Sequence, residues 1–196
     1  MIQFLNRGRG NCPLSQEEYN ECLDLSYRVI GNSSGEVITP IEFLNLDGTS
    51  PINLNLDIKT EYECELAFKD NTVNQWECYL GTTDVSTTMY IARSDNRDNI
   101  AKQGVTLLDP ILSKIPTTEK GIAKLKFNYD KGKFILGTVG DSVLPAVFDF
   151  YYLKIYNAGD LIAHFIPVKR ITSLNKKYGV QDLISSTFIE YKGGNK

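Results

Sequence analysis

One histidine, four cysteines and a run of alternating glutamates are the residues here whose types and spacing could do chemistry. His164 would need a nucleophile and a carboxylate beside it in a cleft to act as a general base. It is the only histidine of the chain and lies in the strand that returns from the turn at Asp160. Glu61, Glu63 and Glu65 stand at every second position, so on a strand two carboxyls come within reach of each other, as glycosidic acid–base chemistry requires. The same alternation with Tyr62, Cys64 and Leu66 describes the solvated face of a strand near a sheet edge, and this is the reading we prefer. Asp95-Asn96-Arg97-Asp98-Asn99 offers oxygen ligands for calcium, but Arg97 opposes a cation and the spacing is not that of an EF-hand; it reads as a polar turn.

Trp76, Tyr79 and Tyr90 could stack on sugar rings, although Trp76 shares the parity of Cys78 and Leu80 and so reads first as core. Gly8-Arg9-Gly10 lacks the third glycine or the Gly-Lys-Ser/Thr of a phosphate-binding loop. The cysteines, at 12, 22, 64 and 78, contain no Cys-x-x-Cys pair for zinc or redox chemistry. A hairpin turn within 70–75 would set Cys64 opposite Cys78 as neighbouring thiols, with Leu66 opposite Trp76. The expectation is a protein without catalytic residues, without a metal and without a cofactor.

The elements that would carry these residues are mostly strands. Ile52, Leu54, Leu56 and Ile58 alternate with polar residues, as do Tyr62 to Phe68 and Ala123 to Tyr129. The turn Asp130-Lys131-Gly132-Lys133 suggests a hairpin between 123–129 and 134–136, and Asn157-Ala158-Gly159-Asp160 suggests another between 147–156 and 161–168. Further strands are expected at 180–184 and 187–191. Ser15-Gln16-Glu17-Glu18 forms a capping box, and Tyr19, Cys22, Leu23, Ser26, Tyr27 and Ile30 follow at helical spacing, predicting a helix over 15–30. The chain thus divides into an arm and helix over 1–35 and an all-β antiparallel domain over 36–196.

With 196 residues, 42% of them apolar, the chain can bury a sizeable core. The net charge of -3 argues against a nucleic-acid partner, whose phosphates need a basic surplus. No apolar run reaches the ~18–20 residues of a membrane span, and the start lacks the order of a signal peptide, so a soluble protein made in the cytosol is expected, with no membrane partner. Reduced cysteines follow from that compartment.

Two stretches carry a resemblance. Residues 41–58, an aromatic at Phe43, then Gly48-Thr49 and an alternating strand, resemble the opening of concanavalin A/laminin-G-like domains of phage virion proteins and gut-bacterial surface proteins. Residues 153–167, in which Leu153-Lys154-Ile155-Tyr156 turns through Gly159 and returns to Phe165-Ile166-Pro167, resemble its closing hairpin. Gly179-Val180-Gln181-Asp182-Leu183 with Phe188 resembles the terminal Gly-x-Tyr-Asp segment, with Gln181 where tyrosine is usual. The resemblance spans 38–190 and implies a two-sheet jelly-roll sandwich in which His164 stands on an outward-facing strand as a solvent-facing side chain. The Met-Ile-x-Phe-Leu start also resembles virion proteins of crAss-like tailed phages.

What the resemblance implies is a non-enzymatic structural component of a phage virion, assembled in the host cytoplasm: a head-fibre, capsid-decoration or tail-fibre subunit. Its partners would be other virion proteins and further copies of itself, as a homo-oligomer. The alternative is a carbohydrate-binding module for host glycans, using Trp76, Tyr79 and Tyr90. Ile2, Phe4 and Leu5, followed by Arg7 and Arg9 between flexible glycines, make the arm too apolar for a simple solvated tail; they are the expected assembly contact.

Overall fold

The structure, a computed structural model, describes residues 37–71, 77–84, 90–93, 100–108, 114–140, 145–172 and 175–194. Among them are strands and no helix. The predicted helix over 15–30 and the arm before it lie outside the described residues.

Two antiparallel sheets pack face to face as a β-sandwich. The smaller comprises β3 (Ile52–Asp57), β5 (Cys78–Thr82), β6 (Tyr90–Arg93), β7 (Ile100–Gln103) and β10 (Lys133–Leu136), in the order β3-β10-β5-β6-β7. The larger is built on β4 (Glu63–Asp70), β8 (Val105–Leu107), β9 (Gly121–Phe127), β11 (Val147–Asn157), β12 (Asp160–Ile171), β13 (Lys176–Asp182) and β14 (Phe188–Glu190). Their order is β14-β13-β12-β11-β4-β9-β8. Two short strands, β1 (Val37–Pro40) and β2 (Leu44–Asp47), add to β12 and β11.

Alternation makes these strands one-sided. Ile52 and Leu54 are buried while Asn53 and Asn55 are exposed, and Ala123, Leu125 and Phe127 are buried along β9. The inward residues meet at ring contacts. Phe68 of β4 lies 4.5 Å from Tyr79 of β5, and Tyr79 meets Phe148 of β11 edge-on at 5.4 Å. Phe127 and Phe134 make a second edge-to-face pair at 4.9 Å. Each fully buried ring stabilises the fold by ~1.5–3 kcal/mol over exposure, with a further ~0.5–1.5 kcal/mol for the ring geometry.

The hairpin between β11 and β12 forms as the sequence predicts. Ala158 (φ 50°) and Gly159 (φ 90°) both lie in the left-handed region, the conformation that matches a two-residue turn to strand twist. Farther from this turn the two strands separate. Val147 to Phe150 pairs with β2, whereas Val168 to Ile171 pairs with β1, so residues 37–47 fill the mouth of the hairpin. The Ile41 amide donates to the Pro167 carbonyl at 3.0 Å within this mouth.

Two expected pairings are corrected. β9 and β10 do not pair with each other: β9 lies between β4 and β8, and β10 between β3 and β5. Residues 130–133 carry the chain from one sheet to the other, so Phe127 and Phe134 face each other across the core instead of lying side by side. Gly132 (φ +72°) makes that crossing, because a Cβ there would run into Thr82 Oγ1. Nor does Cys64 face Cys78. Cys64 pairs with Leu125 and Ile155 in the larger sheet, whereas Cys78 sits in the smaller sheet with Ala92 and Val139.

The interface rings should dominate stability. Phe148→Ala is expected to lower unfolding free energy by ~3–5 kcal/mol, the range for emptying a buried aromatic site. Urea denaturation measures this, and a loss below ~1 kcal/mol would mean the ring contacts do not hold the sheets together.

Candidate functional site

The most unusual chemistry lies inside the sandwich. Asp70 closes β4, Arg93 closes β6, and Glu77 precedes β5; all three are buried. The Arg93 guanidinium is in close ion-pair contact with the Asp70 carboxylate, with side-chain exposures of 3% and 0%. Arg93 N–H donates to the Glu77 carbonyl at 2.9 Å, and Asp70 N–H to the Pro116 carbonyl at 2.8 Å. The group is thus fixed by backbone as well as by charge. Burial pushes the neighbouring Tyr79 phenol far up; Asp70 raises it further, and Arg93 works the other way. Atoms this enclosed do not meet a substrate. Their role is to bind one sheet to the other in a medium where a lone charge is costly.

Sequence reasoning passed over this pair although parity held the signal. Asp70 continues the inward series Cys64, Leu66, Phe68, and Arg93 continues that of Ile91. Two opposite charges at core positions of different strands are most cheaply explained by each other.

The outer face of the larger sheet holds the residues weighed for catalysis. His164 is not solvent-facing: it is 4% exposed, with its ring 6.2 Å from Tyr152 at 87°. Its outward direction on the strand is as expected, opposite Lys154, but that face is covered by Tyr152 and the turn after β13. There the Asp182 carboxylate accepts from the His164 amide at 2.9 Å and from the Ser185 hydroxyl at 2.6 Å. The glutamates do lie among lysines at the surface, but β4 is central, between β11 and β9, and not near an edge. Glu65 accepts from the Tyr152 hydroxyl at 2.7 Å and lies 3.6 Å from Lys124 Nζ. Glu61 precedes the strand at φ 72° and lies 3.5 Å from Lys126 Nζ.

Of the aromatic residues considered for sugar stacking, Tyr79 is fully buried and cannot present a ring face to a ligand. A register shift between Cys78 and Leu80 breaks the simple alternation there and turns Tyr79 into the core. Tyr90 is half-buried against Cys78, Ala92 and Val139. Trp76, the 95–99 turn and the arm residues Ile2, Phe4, Leu5, Arg7 and Arg9 lie outside the described residues. Among the described residues no group of three His, Cys, Asp or Glu side chains is placed to hold a metal ion, and no helix is long and apolar enough to cross a membrane. Cys64 and Cys78 are free, and burial pushes both thiols well up.

Comparison with protein-family models, curated proteins and solved structures finds no match to this chain. The reading of the surface therefore rests on its own geometry.

Two surface features stand out. One joins the two ends of the described body: Asp47 accepts from Thr49 Oγ1 at 2.6 Å, from the Tyr191 hydroxyl at 2.5 Å and from the Gly194 amide at 2.9 Å. Partial burial alone would raise this carboxyl, but the hydrogen bonds from Thr49, Tyr191 and Gly194 outweigh it and hold it at about 2. The other is the corner where β1 begins. Val37 pairs with Ile171, and both are about two-fifths exposed (43% and 38%). Residues 1–36 join the body there.

Two outcomes are expected. Arg93→Met should cost ~3–5 kcal/mol in unfolding free energy by removing the countercharge of a buried carboxylate. Asp70→Asn combined with Arg93→Met should recover much of it; a double variant as weak as the single one would show that the pair itself is not the fastening. For Asp47, a pKa depressed in the folded state stabilises above its ordinary value of 3.8 and is lost as pH falls through about 2. The melting temperature should therefore exceed that of Asp47→Asn near pH 6, with the gap closing towards pH 2. A gap independent of pH would exclude the carboxylate as its source.

Proposed function

We propose that this protein is a non-enzymatic structural component of a bacteriophage virion, a head-fibre, capsid-decoration or tail-fibre subunit attached through its N-terminal arm. The observation that carries the reading is the division of labour at Val37. Past it the chain builds a sandwich fastened by rings, a buried ion pair and the Asp47 clamp. Before it lies a segment joined to one corner of that body, starting with Ile2, Phe4 and Leu5. Leaving those three side chains in water forgoes ~1.5–3 kcal/mol each, so a docked arm is favoured over a free one.

The body is a concanavalin A-like jelly roll in this reading. Support comes from the wiring: the chain crosses between sheets from β2 to β3, β3 to β4, β4 to β5, β7 to β8, β9 to β10 and β10 to β11. Its partners are other virion proteins and further copies of itself, and its place is the virion. A carbohydrate-binding module for host glycans fares less well, because Tyr79 is in the core.

Deleting residues 1–13 tests the proposal. Incorporation into particles should be lost while the isolated domain keeps its melting transition. Undiminished incorporation would overturn the docking arm, and unfolding of the truncated protein would show that the arm packs on its own body.

A further inference from the structure

The larger sheet carries apolar residues on both faces. Antiparallel sheets in a sandwich ordinarily pack one face and hydrate the other. Here Ala67, Tyr152, Ile166 and Val168 lie on the side away from the smaller sheet, yet each is at most 3% exposed, and Tyr151 joins their cluster. A register shift against β4 between Phe150 and Tyr152 breaks the alternation of β11, so that Tyr151 and Tyr152 in succession serve this face. Tyr152 stands opposite Ala67, and Ala67 opposite Ile122, so the smallest side chain lies in a trough between two large ones. The apolar band continues past the cluster in both directions. Phe43, with its ring 5.7 Å from that of Tyr151, is 39% exposed, and Ile122 is 38% exposed.

An apolar stripe of matching length lies in the same chain. On the helix that the sequence predicts over 15–30, Tyr19, Leu23, Tyr27 and Ile30 fall on one side. Glu17, Glu21, Asp24 and Arg28 fall on the opposite side. From Tyr19 to Ile30 such a helix rises ~16 Å. The three strand spacings from β9 through β4 and β11 to β12 measure ~14 Å.

We propose that the helix 15–30 packs by this stripe across the outer face of the larger sheet, as a third layer on the sandwich. The tether selects this occupant. Ile38, one residue past the join at Val37, already packs against the band. The eight steps from Ile30 to Ile38 span at most ~29 Å, enough to turn back over that face. A tethered helix meets the face at about millimolar effective concentration, above what a second copy supplies in dilute solution. Such a layer leaves residues 1–14 to project from the body towards other contacts. It stands independently of the virion reading, since it needs only this chain.

Disulfide trapping in the full-length protein tests it. Cys22 lies on the flank of the stripe and is the probe, in a Cys12→Ser background; Cys64 and Cys78 are buried. Ile122→Cys and Phe43→Cys place acceptor thiols at the two ends of the band. Asn53→Cys, exposed on β3 of the smaller sheet, is the control. Far-ultraviolet circular dichroism confirms that each variant keeps its sheets. The expected result is an intramolecular bond at one or both band positions, about tenfold faster than at the control and independent of protein concentration. Leu23→Asp combined with Tyr27→Asp should slow that bond about tenfold by removing the apolar contact. Rates at both band positions no greater than at the control would overturn the proposal, as would trapping insensitive to the stripe substitutions. Bonds formed only between molecules would assign the face to a second copy and overturn it as well.

Discussion

Phe68 touches Tyr79 on the opposing sheet, and Tyr79 meets Phe148 edge-on; every other feature of the sandwich depends on that contact. Each sheet offers an apolar inner face, and neither is stable until the other covers it. The rings close the gap because an aromatic side chain reaches across it and the edge-to-face arrangement fixes an angle as well as a distance. Once the sheets are closed, the medium between them is poor enough in water for Asp70 and Arg93 to act strongly on each other. The ion pair therefore follows from the aromatic layer. It adds directionality: apolar surfaces can slide, whereas a buried carboxylate must meet its guanidinium at one place.

How far the fold could be read from sequence depended on whether neighbours along the chain decided the outcome. Individual strands were legible because alternation is local, and so was the β11–β12 hairpin, whose Ala158-Gly159 turn meets its strands directly. Pairing across a turn was not. Asp130-Lys131-Gly132-Lys133 has the residues of a hairpin, yet it carries the chain between sheets and sets Phe127 and Phe134 edge to face across the core, a contact that no local turn signal encodes. His164 shows the same limit at a single residue. Its outward direction follows from parity, but its burial comes from Tyr152 and from the turn anchored on Asp182, which lies eighteen residues away along the chain. The buried ion pair was legible in principle, since Asp70 and Arg93 break the apolar series on their own strands. Reading it needed only the rule that a charge at a core position implies a partner.

Part of the outer face of the larger sheet, over β11 and β12, is covered as well. Tyr151, Tyr152, Ile166 and Val168 form a second buried cluster, with Ile38, Leu183 and Phe188 packed against it. Two of those three covering residues arrive from near the ends of the described chain: Ile38 from β1, Phe188 from β14. The Asp47 clamp works in the same direction, joining β2 to residues 191–194. Segments remote in sequence are thus needed to finish a sheet whose central strands, β11 and β4, are already fully paired.

That arrangement constrains how the arm can act. Residues 37–47 lie in the mouth of the β11–β12 hairpin, so a pull on the arm is delivered to β1 and then to β12 and the buried Leu44 and Leu46 of β2. β1 is short and half-exposed, and among the described residues it pairs with β12 alone, making it the weakest link in that path. A tether joined there would hold under thermal motion yet release at β1 before the aromatic layer is disturbed. For a body carried on a larger assembly, a strained attachment would then give way without unfolding the body itself. β1 buries none of its four residues and only its Ile38 packs on the outer cluster, so opening that strand leaves the aromatic layer between the sheets in place.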